Sequence, residues 1–341
     1  MAENPKYNPA LHWFAVATAV TTFLLIGLGG LVTSHEAGMS VPDWPTSYGY
    51  NMFALPIKLW VGGAFFEHTH RLLASVVGFL TTVMAVWLWL GDSRKWMRWL
   101  GVVAFFGVVA QGVLGGLRVK WKMASLGIFH GAVAQSFLVL ICAMALFTSR
   151  WWLTSASKPQ VGVARGLRSH VLYVTILIFI QLLIGATMRH QHAGLSIPDF
   201  PTAYGKLWPD TSPAAIASYN EHRMEINNEN PITAFQVILQ MVHRIVALLI
   251  LLGVGAAAGL AIKRLGACDA LTKFAWFWLA LLVVQVGLGI ATILTNKAAD
   301  IATLHVMVGA LSLLAGALWW LVATRRTTLT AFAVAGQNKL N

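Results

Sequence analysis

Eight apolar runs leave this 341-residue chain few folds to choose from. They fall at 11–33, 70–90, 97–117, 125–148, 170–188, 236–262, 271–294 and 302–323. Each is close to the ~20 residues that cross ~30 Å of hydrocarbon as a helix. The runs are continuous rather than alternating, so they read as helices and not as barrel strands. The second and sixth are the least clean, because each begins with polar residues. Only 11% of the chain is charged and 57% is hydrophobic, where a soluble chain carries roughly a quarter charged residues. The expected fold class is an all-α integral membrane protein of eight transmembrane helices.

A net charge of +12 raises the question of nucleic acid, and its distribution answers it. With the N-terminus in the cytoplasm, the inner segments hold Arg94, Lys95, Arg98, Arg150, Arg165, Arg168, Lys263, Arg264, Arg325 and Arg326, with few acidic residues. The outer segments balance their charges. This is the positive-inside pattern of a membrane protein; no nucleic-acid partner is expected. The opening MAENPKYNPALHW has neither the charge nor the cleavage site of a signal peptide, and is not an Arg-rich transit peptide. The expected location is a bacterial plasma membrane, with both termini cytoplasmic and two long loops, 34–66 and 189–235, outside. Cys142 and Cys268 suit neither a disulfide nor a thiolate metal site.

The two outer loops repeat each other. Residues 38–49 read GMSVPDWPTSYG and 194–205 read GLSIPDFPTAYG, with conservative changes wherever they differ. Gln111-Gly-Val-Leu-Gly115 in the third run is answered by Gln285-Val-Gly-Leu-Gly289 in the seventh. The chain therefore reads as a tandem duplication of a four-helix unit, 1–155 and 156–341. An even number of helices per unit makes the halves parallel repeats, related by an axis along the membrane normal. Each bundle can hold a ligand between facing helices.

The repeat sorts the histidines. His70-Arg71 on the second helix pairs with His243-Arg244 on the sixth, and His130 on the fourth pairs with His305 on the eighth. His68 pairs with Met241 and is not repeated. All four helices run inward from the outer side, and all four histidines lie near their starts. Each half thus has two imidazoles at matched depth, the pattern that a bis-histidine haem iron needs. Zinc would want further ligands, and none repeats alongside. For any one histidine alone, an interhelical hydrogen bond is the competing account; four at duplicated positions favour ligation.

Glu67 breaks the symmetry, because its counterpart is Gln240. It lies three residues before His70 and shares its helical face. His68, rotated about 200° from His70, points elsewhere. A carboxylate in one half and an amide in the other point to chemistry in the first half and a bound cofactor in the second. The competing account makes Glu67 a cap on the helix N-terminus. Arg71 and Arg244 are candidates for pairing with haem propionates, or for snorkelling to the interface. Asp43 and Asp199 are expected to order their loops.

Together these residues resemble the haem A synthase family, over nearly the whole chain: eight helices in tandem halves, a G-x-S-x-PDW loop, ExxHR on the second helix, and single histidines on the fourth, sixth and eighth. The resemblance implies oxidation of a methyl group of haem O to the formyl group of haem A, for haem-copper oxidases. It implies a haem O/haem A site at His70 and His130 with Glu67 essential, and a haem b at His243 and His305. It also implies a haem O synthase as partner, an electron acceptor of unknown identity and, as an open option, a homo-oligomer. Many bacterial members carry a cysteine pair in the first outer loop; here those positions are Val41 and Ser47, so any role of that pair is absent. The rival readings are a non-catalytic dihaem b cytochrome, a haem transporter or chaperone, and a transporter with structural histidines.

Overall fold

The computed structural model describes residues 6–123, 125–154, 162–223 and 231–337. Its helices are α1 (Pro9–Ser34), α2 (Gly63–Gly91), α3 (Lys95–Lys120), α4 (Leu126–Thr148), α5 (Arg150–Thr154), α6 (Arg165–His190), α7 (Pro213–Glu221), α8 (Ala234–Leu265), α9 (Ala270–Leu294) and α10 (Ala299–Gln337). Eight of them are long and apolar enough to cross a membrane. These are the eight runs read from the sequence. Their outer faces carry apolar side chains such as Leu90, Phe79 and Phe106, as a lipid-facing surface requires.

Local chemistry sets the helix starts. Asn8 caps α1 through its side chain, with Pro9 at the first helical position. Thr233 and Gln236 form a capping box on α8. Asp269 caps α9 and also receives both Nη1 contacts of Arg326, at 2.9 and 2.8 Å. α2 begins seven residues before the expected start at 70. Polar residues there looked unfit for a span, but the loop between α1 and α2 satisfies them within the helix.

Each half forms the same ring. α1 packs on α2 and α4, with α3 joining α2 to α4; α6 packs on α8 and α10, with α9 joining α8 to α10. Each ring has its own core, one built around Met84, Leu88, Met97 and Ile141, the other around Val171, Val254, Trp278 and Trp319. The halves meet where α1 and α4 contact α10 and α6. Small residues allow that approach: a Cβ on Gly27 would stand 2.9 Å from Met307 Sδ, and one on Gly30 2.9 Å from Thr303 Cγ2. The expected division at 155/156 lies outside the described residues. With all eight helices crossing, the loops between α1 and α2 and between α6 and α8 share one side.

Candidate functional site

The repeated loops fold alike because the same groups tie them. Asp43 accepts from the backbone N–H of Tyr48 (2.7 Å) and Gly49 (2.9 Å); Asp199 accepts from Tyr204 (2.7 Å) and Gly205 (3.0 Å). Gly49 and Gly205 have φ of +77° and +73°, the region that favours glycine. The ordering role expected for both aspartates is what the structure shows. Burial acts to raise the Asp43 carboxyl, but hydrogen bonds from Thr46, Gly49 and Tyr48 outweigh it and hold the pKa below the ordinary 3.8. A depressed carboxyl contributes its stability above the unfolded value and loses it as pH falls through the folded one. Protease sensitivity of the first loop is therefore expected to stay flat down to about pH 4 and to rise only below it.

Both loops are clamped onto the following helix. Arg71 Nη1 donates to the carbonyls of Asp43 (2.7 Å) and Thr46 (3.0 Å), and Nη2 to that of Val41 (3.0 Å). Arg244 makes the matching bonds to Thr202 (2.9 Å) and Asp199 (2.7 Å). The propionate pairing expected of these arginines meets donors that already serve the loops. Glu67 Oε2 accepts from Val41 N–H at 2.9 Å, and its Oε1 bonds Arg71 Nη2 at 2.7 Å. Gln240 Oε1 accepts from Ile197 N–H at 2.7 Å, the same bond in the second half. Glu67 is only 4% exposed and Gln240 3%. Since α2 starts at Gly63, Glu67 sits beyond the orphan N–H groups of the first turn, and its carboxylate is not a helix cap. His68 lies under the loop, 3.4 Å from Ser47 Oγ and edge-on to Trp60, away from His70's site.

The four repeated histidines share one setting. Each imidazole lies over a glycine of the neighbouring helix. A Cβ on Gly29, Gly115, Gly185 or Gly289 would stand 3.2, 3.3, 3.4 or 3.1 Å from Cε1 of His70, His130, His243 or His305. Four residues before three of these glycines stands a glutamine. Gln111 and Gln181 donate from Nε2 to the backbone carbonyls of His130 (3.2 Å) and His243 (2.9 Å). Gln285 offers its backbone carbonyl to His305 Nδ1 at 3.1 Å. In the first helix the position is Leu25, whose carbonyl faces His70.

His243 and His305 stand with ring centres 6.4 Å apart. Two imidazoles on opposite sides of one metal, each bonded at about 2 Å, place their ring centres at about that separation. With Nδ1 directed at the Gln285 carbonyl, Nε2 of His305 is the nitrogen a metal would take, in exchange for its 3.4 Å contact with Gln285 Nε2. His70 and His130 stand within electrostatic reach of each other in the first half. Nδ1 of His70, His130 and His243 is buried without a hydrogen-bond partner among the described residues. Four orphaned or carbonyl-oriented imidazoles, each in a glycine cradle, fit iron held from two sides. Among the described residues no group of three or more His, Cys, Asp or Glu stands together.

Sequence reasoning did not find the four glycines or Gln181. The signal was present as Gln-x-x-x-Gly at 111–115, 181–185 and 285–289, but two of these copies stand out only as marks of duplication. Cys142 and Cys268 are free.

Residues 12–317 match the family COX15-CtaA, described as cytochrome oxidase assembly protein. The chain is 28% identical to a protein named heme A synthase from Lysinibacillus sphaericus (strain C3-41), over 93% of this chain and 95% of that one. It is 30% identical to one of the same name from Rhizorhabdus wittichii (strain RW1), over 93% and 94%. A third such protein, from Geobacillus kaustophilus (strain HTA426), is 28% identical over 87% and 86%.

Proposed function

Because the chain belongs to the COX15-CtaA family of cytochrome oxidase assembly proteins, we propose that it acts as a haem A synthase. It is a multi-pass membrane oxidoreductase that converts haem O to haem A through hydroxylated intermediates, for haem-copper oxidases. The first half is the catalytic one, with haem O held between His70 and His130. The second half holds a haem b between His243 and His305, which when bound supplies an electron-transfer centre. Both sites lie toward the outer face of a bacterial plasma membrane whose cytoplasmic side carries both termini. A haem O synthase supplies the substrate, and an external acceptor takes the electrons.

The observation that carries the division is Glu67 against Gln240. Each accepts a hydrogen bond from the matching backbone position of its own loop, Val41 or Ile197. Only one carries a charge and can take a proton. Glu67 stands one turn before His70, on the same face of α2. There a carboxylate stabilises positive charge developing at a porphyrin methyl carbon and accepts a proton from attacking water. The apolar helices around the site exclude bulk water and accommodate the long isoprenoid tail of haem O.

An acid–acetone extract of the purified protein, resolved by chromatography, tests the reading. The expected extract contains haem b together with haem O, haem A or a hydroxylated intermediate. Haem b alone, from a host supplied with haem O, would mark a dihaem electron-transfer cytochrome instead.

A further inference from the structure

Among the described residues, the Arg118 side chain meets no hydrogen-bond or ion-pair partner. It stands at the outer end of α3, nearly one turn beyond Gly115, the glycine under His130. Its guanidinium lies between the first outer loop and the start of α4. A Cβ on Gly38 would meet Nη2 at 2.7 Å, and one on Gly127 would meet Nε at 3.2 Å. Four side chains are within its electrostatic reach: His70, His130, Glu67 and His190. Nε is buried with no hydrogen-bond partner, and among the described residues Arg118 closes on no carboxylate. Arg71, Arg94 and Arg326 each close on a carboxylate of this chain. Glu67, the carboxylate within reach of Arg118, is already bonded to Arg71 and Val41.

A half-buried arginine without a counter-ion is costly, and inside a membrane protein it marks a functional position. The missing partner is an anion, on the outer side of the His70/His130 pair. A porphyrin held by iron between those imidazoles carries carboxylates on one edge. We infer that Arg118 binds a carboxylate of the porphyrin substrate of the first half. The proposal rests on the functional reading above and adds the group that orients the substrate edge. Arginine suits the task, because its planar fork binds a carboxylate through two parallel hydrogen bonds. The anchor belongs to the first half alone. Beyond Gly289, the position matching Arg118 is Thr292, a neutral residue whose Oγ1 bonds the Leu288 carbonyl at 2.8 Å. Arg189, the cation facing His305, has its Nη2 tied to the Gly30 carbonyl and Ser34 Oγ.

The test titrates the full-length protein, its haem b site filled, with haem O and with haem O dimethyl ester, followed by the Soret difference spectrum. The unaltered protein is expected to bind the free acid about 30-fold or more tightly than the ester, the scale of losing one partner of a buried charge pair. Arg118→Gln is expected to bind acid and ester alike, near the ester's affinity. Arg118→Lys is expected to fall between. Equal binding of acid and ester by the unaltered protein overturns the proposal without any variant, so misfolding of a variant does not shield it. Full discrimination retained in Arg118→Gln overturns it as well. If the unaltered protein takes up no second haem of either kind, the functional reading itself fails, and the anchor with it.

Discussion

Glu67→Gln is expected to leave both haem sites filled and the first outer loop docked, while lowering haem A formation by at least about 100-fold, the lower range for a lost acid–base group. The second half already shows what an amide does at this position. Gln240 Oε1 accepts from Ile197 N–H at 2.7 Å, and its Nε2 donates to the Ile197 carbonyl at 3.2 Å. The variant therefore keeps the bond to Val41 N–H and loses the ionic link to Arg71. Arg71 still holds the loop through the carbonyls of Val41, Asp43 and Thr46. Glu67→Ala removes the loop bond and the charge together. Measuring haem A per haem b in both variants, with protease sensitivity of residues 38–49, separates the two roles. If docking is all that Glu67 provides, the Gln variant works and the Ala variant does not. Haem A made at the normal rate by Glu67→Gln would end the catalytic assignment.

The eight spans and the duplication are legible in the amino-acid sequence, because both are signals within short stretches of chain. Apolar length reports on solvent, and a repeated GxSxPD[WF]PT[SA]YG reports on ancestry. The histidine pairs follow from the repeat, and the structure sets His243 and His305 at a separation that suits one metal. What stays hidden depends on tertiary contacts. The first turns of α2 carry Glu67 and His68, which a hydropathy profile places outside the membrane; the loop above them supplies Val41 N–H, Ser47 and Trp60 as partners. Arg71 and Arg244 look available for an external anion because sequence cannot show which carbonyls a guanidinium will meet. The glycines at 29, 115, 185 and 289 become meaningful only when the helix opposite each one is known. The catalytic activity comes from family resemblance and relatives, not from residue spacing.

Those glycines carry the other large expected effect. Gly289→Ala would place a methyl 3.1 Å from His305 Cε1, closer than ordinary van der Waals contact. Cε1 lies between the two ring nitrogens, so a push there turns Nε2 away from an iron and Nδ1 away from the Gln285 carbonyl, now 3.1 Å distant. Loss of such an orienting contact lowers metal affinity about 10- to 100-fold. The expected result is reduced haem b content, with the remaining haem shifted from a low-spin bis-imidazole spectrum toward high spin. Gly287 on the same helix provides the control, since a Cβ there meets nothing within 4 Å. Both substitutions gain roughly 0.5–1 kcal/mol of helix propensity, so comparing them cancels that gain and leaves the contact with His305 as the difference. Gly115 and Gly112 form the equivalent pair for His130 in the first half, with a Cβ 3.3 Å from the ring at one and open space at the other. An unshifted spectrum and full haem content in Gly289→Ala would reduce the glycine to close helix packing, and the orientation of His305 would then rest on Gln285.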